Sequence, residues 1–292
     1  MDLDLRKIRY FMAVARELNF GRAARDLHIA QPVLSRQIRA LEAELGVQLF
    51  MRDRRRTELT AAGEALYTEA APLLAGAEAL RRRVGRAGRG ADSFTVAFMP
   101  GLTVTGAVRA LTAAHPRMTV DVLRTSWADQ VEVLRDGRAD VSCVRLPIDQ
   151  RGLKVRALFD EPRVAVLPTA HRLACKSELH LSDLAGETLL QPYDAVPEWQ
   201  AMTGDTAPSG LSGPSGPPAA LAVEEKLEHV AAERGVVVLP QSTAGFYHRP
   251  DVTAIAIIDI GPSRVALAWD ATRRTRLISE FADLAATHLR AP

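Results

Sequence analysis

Apolar residues at Leu5, Ile8, Phe11, Ala15 and Leu18 recur every three or four positions, the spacing of one helix face. Asn19 is a residue type that N-caps a following helix, and there Ala23, Ala24 and Leu27 form a small, closely packing side. His28 and Ile29 make the turn. Pro32 then falls in the first turn of a third helix, where its missing N–H costs little. Leu34, Ile38, Leu41 and Leu45 are the buried side of that helix, and Gly46 ends it. Its outer face presents Gln31, Pro32, Val33, Ser35, Arg36 and Arg39. Two short strands, Val47 to Arg52 and Thr57 to Leu59, flank the turn DRRR and read as a wing. Thr60 begins a long helix reaching about Gly85, with Leu66, Leu73, Ala77, Leu80 and Val84 in one stripe close to a heptad. A single helix cannot bury such a stripe alone, so a partner chain is implied. Pro72 is placed to kink this helix, and RRRVGRAGRGADS (81–93) is a charged, Gly-containing hinge.

From Phe94 onward the pattern alternates between strand and helix, which reads as α/β. FTVAF is a strand, followed by a helix over 102–114 and, after Pro116, the strand MTVDVLR. A helix around Asp129–Arg135 and the strand ADVSCV follow. RVAVLP (163–168) leaves this unit for a second one, made of ETLLQP, a helix over 220–233 and the strand GVVVLP. RVALAW (264–269) and a helix around Leu277–Leu289 return to the first. Two lobes crossed twice by the chain leave a cleft between them, the natural place for a small molecule. TGDTAPSGLSGPSGPP (203–218) holds four Gly and four Pro, a flexible loop that is either an uninvolved surface insertion or a lid.

Composition narrows the function. The chain has 292 residues, 47% hydrophobic and 25% charged, room for two or three globular domains. No run approaches the ~18 apolar residues of a membrane span. MDLDLRKIRYF carries acids and has no apolar core of a secretory signal. Only Cys143 and Cys175 are present, which fits a reducing cytoplasm. His115, His171, His180, His229 and His248 are scattered without an HExxH spacing, and GxSxG and P-loop patterns are absent, so an enzyme is not expected. The net charge of +2 hides an asymmetry: residues 1–90 hold 17 Arg+Lys against 11 Asp+Glu, the remainder 20 against 24. A basic end on a mildly acidic body faces a polyanion. Two short helices with a tight break, then an arginine-rich turn, suit a helix in the DNA major groove and cations on the flanking phosphates.

Residues 23–63, AARDLHIAQPVLSRQIRALEAELGVQLFMRDRRRTELTAAG, closely resemble the LysR-type transcriptional regulators. LRDGRADVSCVRLP and VAAERGVVVLPQST are similar to landmarks of that family further along, and the layout is nearest its branch responding to muconate and aromatic acids. The resemblance implies an α+β multi-domain fold. Residues 1–60 would be a winged helix-turn-helix (the helix-turn-helix itself about 20–39) and 61–90 a linker and dimerisation helix. Residues 91–292 would be a two-lobed, periplasmic-binding-protein-like (type 2) effector domain, with lobe I about 91–163 and 265–292 and lobe II about 164–264. It places Gln31, Pro32, Val33, Ser35, Arg36 and Arg39 near bases or adjacent phosphates, and Arg52, Arg54, Arg55 and Arg56 on the backbone and minor groove. Arginine can fork onto guanine and glutamine onto adenine. Ala30 stands where the family often has a capping serine. An effector, an aromatic or carboxylic acid, would touch Met99, Gly101, Leu102, Thr103, Ser126, Trp127, Arg145, Pro192, Tyr193 and Glu224. Arg145 either holds a carboxylate or pairs with an aspartate such as Asp149 or Asp160. Trp127 either stacks on a flat ligand or is a packed aromatic. Expected partners are a double-stranded DNA operator, further copies of the chain as a homodimer or homotetramer, and RNA polymerase if the protein activates. No metal or cofactor beyond the effector is implied. The alternative is a thiol-redox sensor of the same fold.

Overall fold

The computed structural model describes residues 3–52, 57–87, 93–192, 195–203 and 221–290. The chain forms two compact units, one of Met1–Gly85 with Arg135–Gly137, the other of Arg86–Leu134 with Arg138–Pro292.

In the first unit, helix α1 (Leu5–Glu17) is capped by Asp4, whose side chain accepts the Arg6 N–H at 2.8 Å. Leu18 does not extend its buried stripe. It takes the left-handed conformation at the helix end and is 47% exposed. Asn19 caps α2 (Phe20–Asp26) through the Arg22 N–H, as its position suggests. α3 (Gln31–Leu45) starts at Ala30 with no side-chain cap and ends at Gly46, which has φ +69°. Leu34, Ile38 and Leu41 of α3 close on Ile8, Phe11, Ala23, Leu49 and Phe50, and the Phe11 and Phe50 rings lie 5.3 Å apart. β1 (Phe50–Arg52) pairs antiparallel with β2 (Thr57–Leu59), Phe50 opposite Leu59, to give the wing. α4 (Ala61–Ala87) follows directly. Its first turn packs so closely that a Cβ on Gly63 would lie 2.2 Å from the Leu49 carbonyl oxygen. That approach is why the TAAG turn carries glycine there.

The second unit contains two sheets. The first has the order β4-β3-β5-β11-β6. β3 (Ser93–Phe98), β4 (Thr119–Arg124) and β5 (Val141–Arg145) run parallel, and β11 (Ser263–Asp270) joins β5 antiparallel. β5 is buried along its whole length, and its two polar members, Ser142 and Arg145, are hydrogen-bonded inside the fold. α5 (Thr105–Ala114) and α10 (Arg276–His288) pack on this sheet through Leu111, Phe281 and Ala285, and α6 (Glu132–Arg135) is a single turn. The nine-residue strand β6 (Leu153–Glu161), absent from the sequence reading, forms the sheet's other edge against β11. Its half-exposed, charge-studded pattern hides it, since an edge strand need not alternate cleanly.

The second sheet has the order β8-β10-β7-β9, made by β7 (Arg163–Pro168), β8 (Glu178–Leu179), β9 (Val237–Pro240) and β10 (Val252–Ile257). The expected strand ETLLQP reduces to one isolated bridge, Leu189 to Val236. α7 (Pro197–Thr203), α8 (Val223–Ala231) and α9 (Gln241–Phe246) complete this lobe. The chain crosses from the first sheet to the second between Glu161 and Arg163 and returns between Ile257 and Ser263, the two crossings the pattern foretold. No described helix is long and apolar enough to cross a membrane.

Candidate nucleic-acid interface and effector cavity

The outer face of α3 is built by periodicity. Burial of Leu34, Ile38 and Leu41 turns Gln31, Pro32, Val33, Arg36 and Arg39 to solvent, with Ser35 half-buried beside them. Arg36 and Arg39 carry no ion pair among the described residues, whereas Arg22 pairs with Glu17 and Arg9 with Glu78. Unpaired, exposed guanidinium groups on the first turns of a helix are free to meet base edges or phosphates. Arg52 ends strand β1; Arg54, Arg55 and Arg56 lie outside the described residues.

The second unit encloses a cavity of about 850 Å³ between its two sheets. Met99, Ser126, Trp127, Arg145 and Pro192 line it, five of the residues expected there. Tyr193 lies outside the described residues. Trp127 packs against the first lobe's core and also lines the cavity. Ser126 donates its hydroxyl to Asp129 at 2.8 Å.

Four expected contacts fall elsewhere. Leu102 is 6% exposed within the first lobe's core, and Thr103 is exposed outside the lining. Gly101 has φ +82°, and a Cβ there would sit 2.5 Å from the Thr243 Cα. It serves a close approach between the loop after β3 and α9, and it lies outside the cavity lining. Glu224 is exposed and pairs with Arg124 at 3.2 Å.

Arg145 is the main correction. Its partner is neither Asp149 nor Asp160 but Glu161, with Nη1 donating to Oε1 at 2.5 Å. Nη1 also donates to Ser263 Oγ, and Nη2 to Ser242 Oγ and to the Pro100 carbonyl. Strand register explains the choice: Arg145 lies opposite Val265 and Glu161 opposite Ser263, so both flank β11 two residues apart on one face. Glu161 in turn accepts the Ser242 N–H at 2.8 Å. Burial lowers the Arg145 pKa, with the Glu161 charge opposing the shift. Arg145 thus pins β5, β6, β11 and α9 together. Asp149 is taken by Arg151, and Asp160 lies opposite Arg264 across the strands.

Sequence reading missed Gln191, Glu198 and Lys226, all in the lining. Glu198 holds Arg163, but its Oε2 is buried with no hydrogen-bond partner among the described residues. Burial pushes its carboxyl up, but the Arg163 hydrogen bond and charge, together with backbone hydrogen bonds, outweigh that and leave the pKa lowered. No described cluster of His, Cys, Asp and Glu could hold a metal ion. Cys143 is fully buried in β5, where desolvation pushes its thiol up to about 12, while Cys175 is exposed. A thiol that does not ionise is a poor redox sensor.

Residues 88–290 match the LysR substrate binding domain, and residues 5–64 match the bacterial regulatory helix-turn-helix protein, lysR family. The Hca operon transcriptional activator HcaR of Escherichia coli (strain K12) is 38% identical over 187 residues, 63% of this chain and 63% of that protein. The probable cat1 operon transcriptional activator of Acinetobacter lwoffii is 34% identical over 253 residues, 84% of this chain and 83% of that protein. The crystal structure of CbnR, a LysR family transcriptional regulator, shares the fold with a TM-score of 0.61 at 24% identity, covering 99% of this chain and 100% of that one. With an exposed arginine-bearing face on α3, a two-lobed domain around a cavity and both family matches, the chain belongs to the LysR family of transcriptional regulators.

Proposed function

We propose that this protein binds an operator in double-stranded DNA through α3 and the wing, and that a small organic acid in the cavity of the second unit controls that binding. The observation that carries the reading is the exposed, unpaired pair Arg36 and Arg39 on α3, beside Gln31 and Ser35. Gln31, Pro32, Val33 and Ser35 meet bases or adjacent phosphates, and Arg52, Arg54, Arg55 and Arg56 supply backbone affinity. The named relatives support regulation of this kind, since two of them are described as operon activators. The effector acts by binding one state of the assembly better than another.

The assembly is a dimer or tetramer in the cytoplasm. Leu73, Leu80 and Val84 of α4 are 45%, 58% and 63% exposed, an apolar row that a second copy of the helix would cover. Where the regulator activates, RNA polymerase is a further partner. No catalytic role is assigned, and no cofactor beyond the effector. The test is affinity for a duplex selected by the protein from a random pool, measured across salt concentrations. The reading requires binding to weaken steeply as salt rises, because several arginines per chain displace counterions. Salt-insensitive binding would remove α3 and the wing from the interface.

A further inference from the structure

Most charged groups around the cavity have a partner. Arg145 is held by Glu161, Arg163 by Glu198, and Arg124 by Glu224. Arg264, opposite Asp160 in the β6–β11 register, has no ion pair among the described residues, but it is exposed to solvent. Lys226 differs. It lies in the first half of α8, lines the cavity, is half-buried, and has no ion pair among the described residues. Its helical neighbours on the same side, Ala222, Val223, His229 and Val230, include no carboxylate. The nearby acids are committed elsewhere: Glu225 accepts the Ala222 N–H, and Glu228 pairs with Arg249.

We propose that Lys226 is the anion anchor of this cavity, holding the carboxylate of an organic acid against α8. The inference rests on the reading of the cavity as the effector site. An ammonium withdrawn from water without a counter-charge costs free energy, and an incoming carboxylate offsets that cost with a charge-assisted hydrogen bond. Burial holds the Lys226 pKa below the usual lysine value, as expected for an ammonium lacking its counter-ion. Met99, Trp127, Pro192 and Leu221 supply apolar surface for the carbon skeleton. The charge of Arg145 is already matched by Glu161, and its Nη2 donates to Ser242, Thr243 and the Pro100 carbonyl.

The test uses the full-length protein in thermal-shift and calorimetric titrations. The probes are benzoate, 4-hydroxybenzoate and muconate, each compared with its neutral primary amide. The variants are Lys226→Met, Lys226→Arg and, as a control outside the cavity, Lys176→Met. Without ligand, Lys226→Met should melt at or above the wild-type temperature, since it removes an uncompensated charge. A lower melting point would mean that Lys226 has a structural partner, which overturns the assignment. With ligand, one or more acids should stabilise the wild type and the Lys176→Met variant, while the amides do not. Lys226→Met should weaken that acid at least about tenfold, the scale of one charge-assisted contact, and Lys226→Arg should restore part of the loss. Acid binding that survives in Lys226→Met, or amides that bind as well as acids, would overturn the anchor yet keep the cavity as the ligand site. No stabilisation by any acid or amide would overturn the effector-cavity reading itself, and the anchor with it.

Discussion

Arg36 and Arg145 are the same residue type put to opposite uses. Arg36 stands on an exposed helix face without an ion pair among the described residues, so its charge is available to an outside partner. Arg145 is 4% exposed and bound to Glu161, Ser242, Ser263 and the Pro100 carbonyl, so its charge is spent inside the fold. The cost of desolvation separates them. A guanidinium taken from water must be matched by its own chain, and once matched it has little left to offer a ligand. A guanidinium left in water loses little when it exchanges water and ions for a phosphate or a base.

The largest expected effect breaks the buried member. Arg145→Ala strands the Glu161 carboxylate and should cost about 3–5 kcal/mol in urea unfolding of the second unit. A loss below about 1 kcal/mol would mean that the pair carries no structural weight. Next, Arg36→Ala should weaken binding to a selected duplex by about 1–3 kcal/mol with an unchanged melting temperature. A matching loss of stability would place Arg36 in the fold and dissolve the contrast. Gly63→Val should destabilise the first unit by about 1–3 kcal/mol, because its Cβ would fall on the Leu49 carbonyl oxygen. Equal stability would show that α4 can shift away from β1. Ala30→Ser adds the missing cap on α3 and should raise stability by about 1 kcal/mol. The smallest effect concerns pH. The Glu198 carboxyl is held below 4.5, so its pairing with Arg163 contributes above that value and fades as pH falls through the lower, folded pKa. Glu198→Gln should flatten stability against pH below about 4.5 relative to the wild type.

The same contrast explains which features the sequence made legible. The face of α3 follows from local periodicity, with Leu34, Ile38 and Leu41 naming the buried side and leaving Arg36 outside. The Asn19 cap, the Gly46 stop and the wing strands are local signals too. The partner of Arg145 was not legible, because Glu161 and Asp160 are adjacent and only the register of β6 on β11 decides which one turns toward it. β6 itself escaped notice, since its exposed edge carries Lys154, Arg156 and Asp160 among apolar residues. Gly101 could be recognised as unusual from its place in the loop, but the approach of Thr243 that requires it is a tertiary fact. Lys226 sits in a helix the pattern did foresee. What the pattern lacks is the rest of the cavity wall, and so the fact that no described carboxylate pairs with the ammonium.

The most direct test of the account compares wild type, Arg36→Ala/Arg39→Ala and Arg145→Ala in one assay, reading duplex affinity against salt together with the urea midpoint of each. The account predicts that the double variant keeps its midpoint but binds weakly, with a shallower salt slope, while Arg145→Ala loses midpoint. An Arg36→Ala/Arg39→Ala protein that binds the duplex as tightly and as salt-dependently as the wild type would contradict it.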